Sequence, residues 1–150
     1  MNFKSVDEIL DFAIKKEEEA ARMYTHLAGQ MKRPHMAQVF EDFASEELGH
    51  KEKLLAIKSG KLLQPVAEMV MDLKIAEMLV DAEPSSDMDY QQALILAMKE
   101  EKAAFRLYTK LAASADDESL RTTLLDLAQE EARHKLRFEI EYDDEFLSDY

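Results

Sequence analysis

Apolar residues recur every three or four positions along four long stretches of this chain. That period belongs to helices with one buried face. In the first stretch Val6, Ile9, Leu10, Ala13, Ala20, Tyr24, Leu27 and Ala28 share a stripe. Ser5-Val6-Asp7-Glu8 has the form of a capping box, so the pattern predicts a helix from Ser5 to Lys32. Pro34 suits the first turn of a second helix, with Val39, Phe40, Phe43 and Leu54 inward and Gly60 as its stop. A third helix starts at Asp89, with Gln92 completing a weaker capping box, and runs to Ser114. Ala115-Asp116-Asp117-Glu118 forms a turn whose acids suit the start of a fourth helix, with Leu120, Leu124, Leu127 and Phe138 inward. No stretch alternates with period two, so the expected class is all-α. The expected plan is a single domain over 1–150: a helix pair over 5–60, a crossover over 61–88, a second pair over 89–141 and an acidic tail over 142–150. Pro65 can open a short helix in the crossover, ended by Glu83-Pro84-Ser85-Ser86-Asp87. A crossover this long can span the bundle, or let two chains exchange halves. The pattern leaves open whether the tail prolongs the fourth helix or packs on a partner.

The two pairs repeat one another at a constant offset of 84 residues, from Glu17 to Glu101 and from His50 to His134 alike. Each buried stripe is broken by polar residues at matching places: Glu17 and Glu101 singly, Glu47 with His50 and Glu131 with His134 as Glu-x-x-His. Residues three apart on a helix point in neighbouring directions, so each Glu-x-x-His can serve one centre. Four unpartnered carboxylates on buried stripes would cost on the order of several kcal/mol each. A pair of divalent or trivalent cations removes that cost. The set has the composition of a dinuclear metal site inside a four-helix bundle. Oxygen and imidazole donors without sulfur suit iron or manganese, with zinc as a substitute. One Glu-x-x-His alone would carry little weight. The competing reading is a duplicated bundle whose repeated polar residues pair only with one another.

The repeat also sorts the other polar residues. His26 is matched by Lys110 and His35 by Ser119, which makes both poor ligand candidates and places them at the surface. Glu18, Glu19, Glu46, Glu100 and Glu130 lie off the stripes, where solvation or ion pairing with Lys and Arg is the simpler role. For Glu46 and Glu130 a second role stays open, as acceptors that orient a ligand histidine. Tyr24 and Tyr108 follow Glu17 and Glu101 by two turns; they can pack in the core and donate a hydrogen bond to a ligand carboxylate across the bundle. Most of the nine Met residues read as core filler.

Composition narrows the function. Cysteine is absent, which excludes disulfides, iron–sulfur clusters and thiolate metal sites in this chain. A formal net charge of −13 repels nucleic acid and anionic membranes and attracts cations, although its main effect is solubility. No apolar run is long enough to span a membrane, and Met1-Asn2-Phe3-Lys4 lacks the order of a signal peptide, so the expected location is cytoplasmic.

Glu17-x-x-Ala20-x-x-x-Tyr24, Glu47-x-x-His50, Glu101-x-x-Ala104-x-x-x-Tyr108 and Glu131-x-x-His134 together resemble the ferritin-like di-iron carboxylate proteins. Within them the chain is similar to the rubrerythrin and erythrin branch without a rubredoxin domain, over residues 3–141. The resemblance implies a ferritin-like four-helix bundle holding two iron ions. Glu47 and Glu131 would bridge them; Glu17 and His50 would complete one, Glu101 and His134 the other. It further implies reaction with hydrogen peroxide or dioxygen, often as a peroxidase in oxidative-stress defence. With no cysteine site, electrons would come from a separate rubredoxin-like protein. A homodimer is expected, with swapped helix pairs as one form. Rubrerythrin carries a further Glu where this chain has Ala104, so its redox-dependent Glu–His exchange does not carry over; the symmetric four-Glu, two-His set is like that of bacterioferritin. The alternatives are a ferroxidase or iron-storage protein, or a non-catalytic bundle stabilised by metal.

Overall fold

A computed structural model describes residues 2–3, 5–59, 71–72, 88–115 and 117–147. Four helices dominate them: α1 (Val6–Gln30), α2 (Pro34–Lys58), α3 (Tyr90–Ala113) and α4 (Glu118–Tyr142). They form a four-helix bundle in which α1 packs along α2 and α3 along α4. Shifting α2 by the 84-residue repeat gives the bounds of α4 at both ends.

The helix starts follow local chemistry. The Ser5 hydroxyl accepts from the Glu8 backbone at 3.2 Å. Asp89 and Gln92 make both bonds of a capping box, at 2.8 and 3.0 Å. The Asp117 carboxylate accepts from the Leu120 backbone at 2.8 Å. The first helix stops two residues before the expected Lys32. Arg33 precedes Pro34 and takes an extended conformation (φ −104°, ψ 135°), because the proline ring crowds a helical neighbour. Met31 already leaves the helix with ψ 137°. The tail prolongs α4 as a π-helical turn, Asp143–Leu147, and Phe146 packs on the rings of Tyr142 and Tyr90.

The chain also holds a feature the period gave no hint of. Asn2–Phe3 (β1) pairs antiparallel with Met71–Asp72 (β2), Asn2 opposite Asp72. Strands of two residues are too short to show alternation. The rest of the crossover, with its expected helix and Gly60, lies outside the described residues, as does the end of the tail beyond Leu147.

Two apolar clusters fill the bundle. One is mainly aliphatic, with Ile9, Leu10, Leu54, Leu111, Leu124 and Leu127. The other is mainly aromatic, with Tyr24, Phe40, Phe43, Tyr90 and Phe138. Each large side chain so buried stabilises the fold by about 1.5–3 kcal/mol. Every helix passes from one cluster to the other, and between them each contributes buried polar residues: Glu17, Glu47 with His50, Glu101, Glu131 with His134. Among the described residues no helix is long and apolar enough to cross a membrane.

Candidate metal centre

The six polar residues of that layer are between 1% and 6% exposed. They form two overlapping groups. Glu17, Glu47, His50 and Glu131 make one; Glu47, Glu101, Glu131 and His134 make the other. Within each group one donor atom per residue lies within 4.8 Å of all the others. Glu47 and Glu131 belong to both. The imidazole rings lie 5.5 Å apart and nearly parallel, at 6°. Both turn Nδ1 inward. His50 Nδ1 lies 3.4 Å from Glu17 Oε2 and 3.2 Å from Glu131 Oε1. His134 Nδ1 lies 3.1 Å from Glu47 Oε1 and 3.5 Å from Glu131 Oε1.

Proximity here is not hydrogen bonding. Glu17 Oε2, Glu47 Oε1, His50 Nδ1, Glu101 Oε2, Glu131 Oε1 and His134 Nδ1 are all buried without a hydrogen-bond partner. Each of the six residues thus turns one unsatisfied atom toward a common centre. Buried polar atoms are otherwise nearly always paired, so the arrangement fits cations between them. Electrostatics agree. Burial, then the charge of Glu131, pushes the Glu47 carboxyl well above its usual range. Burial and the charge of Glu101 do the same to Glu131. His50 is pushed up to about 10: burial acts against its charge, but Glu131 and Glu17 outweigh it. Burial also opposes ionisation of Glu17, yet contacts with His50 and Glu47 hold it below its ordinary value. The cluster demands positive charge, supplied by protons or by metal ions.

The tyrosines act across the repeat. Tyr24 Oη donates to Glu101 Oε1 and Tyr108 Oη donates to Glu17 Oε1. Burial, followed by the charge of the accepting carboxylate, raises both phenols well above 10, so they remain protonated donors. Each fixes one carboxylate oxygen and leaves the other facing the centre.

Glu46 and Glu130 go beyond the simpler reading of their positions. Glu130 Oε2 lies 2.6 Å from His50 Nε2, and Glu46 Oε2 lies 3.3 Å from His134 Nε2. Each carboxylate stands behind the histidine of the other half. They also pair with cations, Glu46 with Arg137 at 3.0 Å and Glu130 with Lys53 at 3.8 Å. Both roles left open for them in the sequence are filled: they pair with cations and they back a histidine. That histidine lies on another helix and is therefore not visible in the period of their own. Glu18 and Glu19 follow the ion-pair reading, with Lys51 at 3.8 Å and Lys16 at 3.0 Å. His26 and His35 are exposed. His35, however, lies 3.2 Å from Glu141 and groups with Glu141 and Glu145 at the surface.

Cavities flank the centre on two sides, one of about 450 Å³ between α2 and α4 that reaches His50 and His134. The other, of about 670 Å³, opens between α1 and α3, flanked by Ala20, Met23, Ala104 and Leu107, and reaches Glu17, Glu47, Glu101 and Glu131. Ala20 and Ala104 are repeat partners whose short side chains leave this approach free.

An antiparallel bundle with two buried Glu-x-x-His pairs and two further Glu defines the ferritin-like di-iron carboxylate class. A protein from Thermotoga maritima described as a candidate ferritin-like diiron-carboxylate protein shares the fold with a TM-score of 0.69, at 20% identity over 96% of this chain and 98% of its own. A hypothetical protein from Pyrococcus furiosus is similar with a TM-score of 0.67, at 25% identity over 93% of this chain and 89% of its own. The Rubrerythrin family model matches residues 8–142, so the chain belongs to the rubrerythrin family. No curated protein matches it.

Proposed function

We propose that the protein is a rubrerythrin-type di-iron oxidoreductase that reduces hydrogen peroxide, with dioxygen as the slower oxidant. The observation carrying this reading is the convergence of six buried, unsatisfied donor atoms from the two repeats. Glu17 and His50 would hold one iron, Glu101 and His134 the other, and Glu47 and Glu131 both; manganese or zinc can substitute. When bound, ferrous ions would supply two electrons at adjacent positions and Lewis acidity toward the oxidant. Each peroxide takes two electrons and two protons and leaves as two waters. The chain's own residues prepare this. Tyr24 and Tyr108 hold Glu101 and Glu17 in place, Glu46 and Glu130 back the histidines, and the gap at Ala20 and Ala104 admits a small oxidant on the carboxylate side. The chain has no cysteine, so reducing equivalents come from a separate rubredoxin-like protein. Stopped-flow mixing of the ferrous protein with each oxidant tests the assignment. Peroxide is expected to react faster; the reverse order would favour an oxidase or ferroxidase.

Iron oxidation for storage is the second reading, favoured by Ala104 and the symmetric four-Glu, two-His set. It requires a hollow shell of many subunits, whereas the enzyme reading expects a homodimer. Sedimentation separates the two.

A further inference from the structure

The repeat that builds the centre is broken beside the residues standing behind its histidines. Glu46 and Glu130 match, but two pairs of equivalent positions beside them differ: Lys53 with Arg137, and Leu127 with Phe43. Behind His50, Glu130 makes a close contact of 2.6 Å to Nε2. Its cation, Lys53, stays 3.8 Å away. Behind His134, Glu46 is drawn to Arg137, whose Nη1 reaches both carboxylate oxygens at 3.0 and 3.2 Å. There the contact to Nε2 is 3.3 Å. Phe43 fixes this arrangement: the Arg137 guanidinium lies 4.5 Å from its ring centroid, and its ring also packs edge-on against His134 at 4.9 Å. Leu127, at the matching place, offers Lys53 no ring.

A carboxylate accepting from the outer nitrogen of an imidazole fixes the ring and makes the inner nitrogen a stronger donor to metal. A carboxylate shared with a guanidinium has less charge to give. We infer that the two metal positions are unequal, the one beside His50 binding first and more tightly, with Glu130 and Glu46 as unequal positioning residues. This rests on reading the cluster as a two-metal centre.

Anaerobic titration of the full metal-free chain with Co(II), followed by calorimetry and ligand-field absorption, tests it. Two binding steps are expected. Glu130→Gln weakens the first step by about tenfold or more. Glu46→Gln weakens the second by clearly less. Arg137→Gln frees Glu46 and tightens the second step, a gain that structural damage does not produce, while Lys53→Gln leaves the first nearly unchanged. At one equivalent in the unaltered protein, the paramagnetically shifted imidazole signals arise from His50. Equal losses in Glu130→Gln and Glu46→Gln, equal effects of Arg137→Gln and Lys53→Gln, or first occupation beside His134 would each overturn the inference while leaving the two-metal centre intact. Failure of the unaltered protein to take up two ions would instead overturn the two-metal reading and this inference with it.

Discussion

Four of the six residues of the centre, Glu17, Glu101, His50 and His134, are divided between two tasks. One atom of Glu17 or Glu101 accepts from a tyrosine, and the other is left without a partner. Each histidine turns Nε2 toward a carboxylate of the other half and Nδ1 inward. The tyrosine contacts are a stability term as well as a positioning one. Tyr24→Phe removes the donor to Glu101 and leaves a buried carboxylate oxygen unsatisfied, which costs about 1–3 kcal/mol. Urea unfolding of the metal-free protein should show a loss of that size, and Tyr108→Phe should match it. No loss in either variant would mean that these contacts are not made in solution.

Helix boundaries were legible where a side chain caps the backbone. Asp89→Ala removes the acceptor for the Gln92 backbone and should lower stability by about 0.5–2 kcal/mol, read as a shift in the urea midpoint at unchanged slope. An unchanged midpoint would show that packing alone sets the start of α3. The six central residues were legible for a different reason. Polar side chains on an apolar stripe stand out, and the repeat confirmed each with a partner such as Glu17 with Glu101. Glu46 and Glu130 were not legible in that way, since their role depends on how α2 meets α4 and not on the period of either helix. The early end of α1 comes at Met31, already extended at ψ 137°, and has no local signal in the sequence, because Pro34 constrains only Arg33. The pairing of Asn2–Phe3 with Met71–Asp72 is a contact between distant segments and leaves no local periodic trace.

Over the whole molecule the buried layer couples stability to pH. Glu47 and Glu131 have folded values raised above the ordinary 4.5. A raised carboxyl contributes stability that is full below its unfolded value and is lost as pH rises through the folded one. His50 acts with the same sign: its contribution is full below 6.5 and is lost as pH climbs through about 10. Glu17, held low, contributes above 4.5 and loses its share only as pH falls through its folded value. The metal-free protein should therefore lose stability as pH rises from about 6.5 toward about 10, as His50 and the raised carboxyls give up their protons. Metal ions bound at the centre would replace those protons, so the iron-loaded protein should resist the loss and the difference in Tm should widen with pH. Paired thermal melts check this; a difference that narrows would contradict it.

The most direct measurement is anomalous diffraction at the iron edge from crystals of the iron-loaded protein. Two peaks about 3.5–4 Å apart are expected, both touching Glu47 and Glu131, one beside Glu17 and His50 and the other beside Glu101 and His134. Iron found only at the surface group of His35, Glu141 and Glu145, or no peak within the buried layer, would contradict the account.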